Sequence, residues 1–189
     1  MAKLLETGAR APQFILSDKD QIEVSLNELR SDFTVIFFYP KDNTPGCTIQ
    51  SKQYSKDLKL FQKLNATVLG ISGGDQKSKT AFCKKHKLAV TLLSDGDFSV
   101  AKKFGVFGEK SFMGKKFMGI FRTTFLLDKN KKVIKVYEAA APETNSAEVI
   151  ADIKATGSKK SAVKKKPVAK KPAPKKTALK KKKSSAKKK

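Results

Sequence analysis

Phe33-Thr34-Val35-Ile36-Phe37-Phe38, apolar at every position but one, runs directly into Tyr39-Pro40-Lys41-Asp42-Asn43-Thr44-Pro45-Gly46-Cys47. A short apolar run closed by a proline reads as a buried strand. Thr44 followed by Pro45 reads as the opening of a helix, because threonine suits the N-cap and proline the first helical position. Cys47 is then the third helical residue. There the unpaired backbone N–H groups and the positive end of the helix dipole converge. That setting stabilises a thiolate and lowers a thiol below its free pKa of ~8.5, which makes Cys47 a candidate nucleophile.

The other catalytic parts are few: two cysteines (Cys47, Cys83), one histidine (His86) and no tryptophan among 189 residues. A zinc site needs three or four Cys, His or carboxylate ligands at short spacings, and the sequence has no such cluster. No cofactor is implied. Cys83 and His86 stand three apart on a candidate helix and so could share a face. A histidine near the polar C-terminal end of a helix is ordinarily solvated, and His86 is read that way ahead of a general base.

Residues 1–157 mix apolar runs, turn signals and both signs of charge, enough for one domain with a core. Candidate strands are Phe14–Leu16, Val35–Tyr39, Ala66–Ile71, Thr124–Leu127 and Val133–Tyr137; candidate helices are Pro45–Leu64, Asp75–Lys87, Phe98–Phe104 and Asn145–Ala155. On the first helix Tyr54, Leu58 and Phe61 recur at core-facing spacing. Asp128-Lys129-Asn130-Lys131 is a polar turn between two strands and predicts a hairpin. Strands alternating with helices and ending in a hairpin imply an α/β domain with a mixed sheet flanked by helices.

Pro40-x-x-x-Thr44-x-x-Cys47 resembles the peroxidatic signature of peroxiredoxins. The fuller string from Phe38 to Thr48 resembles the peroxiredoxin Q group, also called bacterioferritin comigratory protein. Further likenesses follow in order: Gly8 to Phe14, Leu92-Leu93-Ser94-Asp95, Gly105 to Lys110, and Gly119 to Asp128 with Arg122. The resemblance covers roughly residues 1 to 155. It implies a thioredoxin-like fold, a peroxide substrate, a thioredoxin-like reductant and, as in many relatives, a monomer.

Peroxidase chemistry needs a thiolate that attacks one peroxide oxygen while charge moves onto the other, so donors aimed there lower the barrier. The resemblance assigns that environment to Thr44, the first-turn N–H groups of Gly46 and Cys47, and the guanidinium of Arg122, with Pro40 shielding the sulfur. The bland alternatives are a plain helix cap for Thr44 and a surface ion pair on a strand for Arg122. Phe112, Met113, Phe117 and Met118 read as packing residues that could also wall a peroxide pocket.

Many relatives carry a resolving cysteine five residues after the peroxidatic one, where this chain has Lys52. Others place it on the next helix, the place of Cys83. Phe82 reads as core-facing, so Cys83, ~100° further round, is expected nearer the surface. A disulfide demands Cα atoms about 4.4–6.8 Å apart, so a Cys47–Cys83 bond is expected to need local unwinding. Two readings stand: Cys83 resolves the sulfenic acid of Cys47, or it is a semi-buried bystander and an outside thiol does so.

Ser158 to Lys189 holds sixteen lysines and no acidic residue, so +16 of the formal +24 lies there and +8 on the domain. Lys-Lys pairs recur every five residues from Lys165, with prolines at Pro167, Pro172 and Pro174. Such a segment builds no core and is expected to be a disordered basic tail. It resembles the Lys/Ala/Pro tails of linker histones. Sequence-blind binding to nucleic acid phosphates is the favoured partner, beside a nuclear address, an anionic membrane surface or a solubilising extension. No targeting segment or ~20-residue apolar span is visible, so the expectation is a cytoplasmic protein without a membrane span, associated with a nucleoid or nucleus where DNA is kept. Two functions compete: a peroxidase held on nucleic acid, or a DNA-coating protein with a vestigial peroxiredoxin head.

Overall fold

The computed structural model describes residues 3–163. Among the described residues, nine strands and four α-helices follow one another as β1 (Ile15–Ser17), β2 (Glu23–Ser25), β3 (Phe33–Phe38), α1 (Pro45–Lys63), β4 (Ala66–Ser72), α2 (Gln76–His86), β5 (Thr91–Ser94), α3 (Ser99–Lys103), β6 (Phe107–Phe112), β7 (Lys115–Ile120), β8 (Thr123–Asp128), β9 (Val133–Glu138) and α4 (Asn145–Val163). Five strands form the central sheet in the order β5-β4-β3-β8-β9. β3 runs parallel to β4 and antiparallel to β8, so the sheet is mixed as expected. The Asp128–Lys131 turn joins the antiparallel pair β8–β9, the predicted hairpin.

All six residues of β3 are buried, which explains why its apolar run lacks the alternation of a half-exposed strand. Its side chains divide between two cores. Val35 and Phe37, with Tyr39 just past the strand's end, join Tyr54 and Phe61 of α1, Phe82 of α2 and Val149 and Ile153 of α4. Ile36 and Phe38 join Val100 and Ala101 of α3, Phe104 and Phe125. Helices therefore cover both faces, the thioredoxin-like arrangement. Phe37 stacks on Tyr54 at a ring separation of 4.5 Å, which seats α1 on β3 and fixes the start of that helix above the strand's end.

Three differences from the sequence reading have plain causes. β2 and β5 are only three and four residues long and hold one and two apolar residues, too few to stand out as an apolar run. The hairpin β6–β7 turns at Met113-Gly114, both at positive φ, where a lone glycine after Phe112-Met113 gave little warning of a turn. α4 runs to Val163, past the boundary expected at Gly157, so the start of the Lys-rich segment is helical. Residues 164–189, the rest of the expected tail, lie outside the described residues.

Candidate active site

α1 begins at Pro45 as the Thr44-Pro45 pair predicts, and Cys47 occupies its first turn with no exposed surface. Thr44 has the extended backbone of an N-cap (φ −86°, ψ 150°), yet its hydroxyl makes no cap bond. It donates instead to the carbonyl of Lys41 at 3.0 Å, bracing the loop that leads into the helix. The first-turn N–H groups of Gly46 and Cys47 have no acceptor within the helix. Pro40 is half-buried just beyond β3.

Arg122 is half-buried in the short link between β7 and β8, not on a strand. Its Nη2 donates to Cys47 Sγ at 3.4 Å and its Nη1 to Gln50 Oε1 at 2.8 Å. The guanidinium is thus held by a fork: one arm on the sulfur, the other on a residue one turn along the same helix. Gly46 makes room for it, because a Cβ there would stand 3.1 Å from Arg122 Nη2. Lys110 adds a second cation nearby. Burial and the Arg122 guanidinium hold its ammonium below the ordinary lysine range, while Cys47 pulls it upward.

Behind the arginine lies a buried polar cluster that sequence reasoning missed. Gln50 Nε2 donates to Asn145 Oδ1 at 3.2 Å, and Tyr54 Oη and Thr124 Oγ1 donate to the same oxygen at 2.6 and 2.8 Å. Asn145 opens α4, so three separate segments converge on one amide behind the Cys47–Arg122 pair. Gln50 was findable, being three residues after Cys47 on the same helical face. Nothing near Asn145 in the sequence points to it.

The AhpC/TSA family model matches residues 7–136. The chain belongs to that family. It is 41% identical to Peroxiredoxin Bcp of Escherichia coli over 134 residues, 71% of this chain and 86% of the relative. A solved Bacterioferritin Comigratory Protein of Xanthomonas campestris aligns with a TM-score of 0.71 at 34% identity, covering 76% of this chain and 91% of that one. Peroxidoxin BcpB of Mycobacterium tuberculosis aligns with a TM-score of 0.71 at 31% identity, covering 80% and 97%. This peroxiredoxin is therefore of the Bcp/peroxiredoxin Q kind.

Two expectations for this peroxiredoxin are corrected. Cys83 is not near the surface: it is 6% exposed, in the same core as Phe82, and burial pushes its thiol up from the ordinary range. The helix face carrying it is covered as well, because Thr80 and Gln76 bond to the carbonyls of Lys19 and Asp18 in the turn between β1 and β2. The second concerns the stretch before Arg122. Met113, Phe117 and Met118 are 87%, 47% and 59% exposed, so they are not core packing residues, and the side chain of Phe112 lies outside those described. The cleft of about 570 Å³ beside Arg122 is lined instead by Leu4, Val106, Lys110, Phe121 and Pro142 among others. Both thiols are free. His86 packs edge-on to Phe82 at 5.3 Å; Lys52 and Lys85 join partial burial in lowering its pKa. It takes no part in the cluster around Cys47.

Proposed function

We propose that the chain is a thiol peroxidase that reduces hydrogen peroxide and organic hydroperoxides through Cys47. The observation that carries this reading is the Arg122 Nη2 contact with Cys47 Sγ, 3.4 Å long, at a helix start. The Cys47 thiolate attacks the terminal peroxide oxygen and the O–O bond breaks. Sulfur keeps that oxygen as a sulfenic acid, and the other leaves as an alkoxide or hydroxide that takes a proton from water. Arg122 and the first-turn N–H groups hold the sulfur and stabilise charge on the leaving oxygen. Thr44 turns its hydroxyl from Lys41 to the bound peroxide, and Pro40 shields the sulfur from bulk water.

The apolar walls beside Arg122 suit the alkyl part of an organic hydroperoxide, and the Xanthomonas campestris relative is described with alkyl peroxide reduction activity. Cys83 then attacks the sulfenic sulfur, the S–O bond breaks, water leaves and a Cys47–Cys83 disulfide forms. A thioredoxin-like dithiol reduces it by exchange. The Lys-rich segment 158–189 binds nucleic acid through phosphates, keeping the peroxidase beside a polymer that peroxides damage.

Peroxide consumption with thioredoxin and its reductase tests the chemistry. The full chain turns over and Cys47→Ser does not; equal consumption by the two sinks the reading. Cys83→Ser tests the second step, since a variant that still forms the same intramolecular disulfide removes Cys83 from it. For the basic segment, gel shifts in rising salt compare the full chain with one ending at Val163. Contacts to 6–10 phosphates lose ~10³–10⁵ in affinity between 50 and 200 mM salt. Equal DNA affinity for the two chains rejects the role.

A further inference from the structure

Lys79 and Asp42 form a buried ion pair that the chemistry above does not use. Their side chains are 0% and 2% exposed, with Lys79 Nζ 3.0 Å from Asp42 Oδ2 and 3.2 Å from Oδ1. Asp42 also accepts from Tyr39 Oη and Ser78 Oγ, each at 2.7 Å, and Lys79 donates to Ser72 Oγ. Gly74 gives the carboxylate its space: a Cβ there would stand 2.3 Å from Asp42 Oδ2. Asp42 belongs to the loop between Pro40 and Thr44, directly before Cys47. Ser78 and Lys79 belong to α2, and Cys83 lies one turn beyond Lys79 on the same face.

We propose that the Asp42–Lys79 pair is a latch that holds α2 against the Cys47 loop and sets how often Cys83 is released to react. The part of this that concerns the disulfide rests on the function proposed above. Lys79 stands at the level of the Cys47 loop, and Cys83 is about 6 Å further along the helix axis. Bringing Cys83 within bonding distance of Cys47 therefore shifts or unwinds that turn and draws Lys79 off Asp42. Opening returns both charges to water, which they left at a cost: burial holds Lys79 below the ordinary lysine range against the pull of Asp42. A buried pair of this kind adds little net stability, but removing one partner strongly disfavours the closed form. Asp42 and Lys79 are positioning residues that act through Cys83.

The test compares the full chain with Lys79→Met, and with the milder Ser78→Ala, which removes only one hydrogen bond from α2 to Asp42. Maleimide labelling of Cys83 in a Cys47→Ser background reads opening without any disulfide. Lys79→Met is expected to label at least about tenfold faster, and Ser78→Ala about threefold faster. In chains with both cysteines, disulfide formation after a peroxide pulse accelerates by the same factors, while the rate of peroxide consumption in the first step stays that of the wild type. A tenfold easier opening lowers the reduction potential of the couple by about 30 mV. Uniform loss of stability would not separate the two steps in this way. Cys83 labelling at the wild-type rate in both variants overturns the proposal, as does a first step that slows in parallel with any gain in labelling. If labelling responds but the wild type forms no Cys47–Cys83 disulfide, the latch stands and the resolving role of Cys83 falls.

Discussion

Gln50 and Asn145 stand 95 positions apart in the chain and 3.2 Å apart in the fold, and the bond between them steadies the residue that holds Arg122. Gln50 uses its oxygen for the guanidinium and its nitrogen for Asn145. Arg122 is thereby fixed from behind while its other arm stays on the sulfur.

Replacing Arg122 with lysine keeps the charge but removes the fork. A single ammonium nitrogen cannot occupy the positions of both Nη1 and Nη2, so it cannot serve Cys47 and Gln50 together at their present geometry. The second-order rate constant with peroxide is expected to fall about 100-fold or more. Stopped-flow measurement of the first step on Arg122→Lys checks this; a wild-type rate would reject the fork.

Asn145→Ala leaves the donors of Gln50, Tyr54 and Thr124 without their shared acceptor. The expected loss is about 1–3 kcal/mol of stability. Urea unfolding of the variant measures it. The peroxide rate falls too, because Gln50 is freed to turn away from Arg122.

Gly46→Ala separates activity from stability. Alanine favours a helix over glycine by up to ~1 kcal/mol, so the melting temperature holds or rises. The new methyl group meets Arg122 Nη2 at 3.1 Å, so the guanidinium must give by a few tenths of an ångström and its contact with the sulfur is misaligned. Since small misplacements of a catalytic group can cost ~100-fold, a rate loss of about tenfold is expected. Paired thermal melts and peroxide kinetics read both effects.

Burial raises the Cys83 thiol, with Asp42 adding to the shift and Lys19 and Lys79 opposing it. The folded protein therefore keeps this proton beyond the pH at which an unfolded chain releases it. The contribution to stability is present below the unfolded thiol's pKa and is lost as pH rises through the raised value. Maleimide labelling of Cys83 in Cys47→Ser should be slow at neutral pH and climb only at alkaline pH. The same protein in urea should show the climb at the ordinary thiol range; coincident profiles would contradict the shift.

Residues 33–47 alone fixed the centre of the fold. An apolar run six residues long, then proline, then Thr44-Pro45, specify a buried strand and a helix start through near-neighbour sterics and missing donors. Tyr54, Leu58 and Phe61 similarly declare which face of α1 is buried, because helical periodicity is local. The same logic placed Cys47 in a first turn, and the polar turn at Asp128 placed a hairpin. It misjudged Cys83, since a position ~100° from a core residue is exposed only if nothing else covers that side, and the turn between β1 and β2 does.

What a linear reading determined, then, was the sulfur's place on its helix, the mixed sheet beneath it and the break in composition at Ser158. Tertiary structure alone decided that Gln50 and Asn145 support Arg122, that Gly46 clears its path, and that Asp42 meets Lys79 across 37 positions. Propensity and periodicity act over one or two turns of chain. Contacts between α1, α2, α4 and the β7–β8 link depend on strand order and on how each helix seats on the sheet, which no short window of sequence encodes.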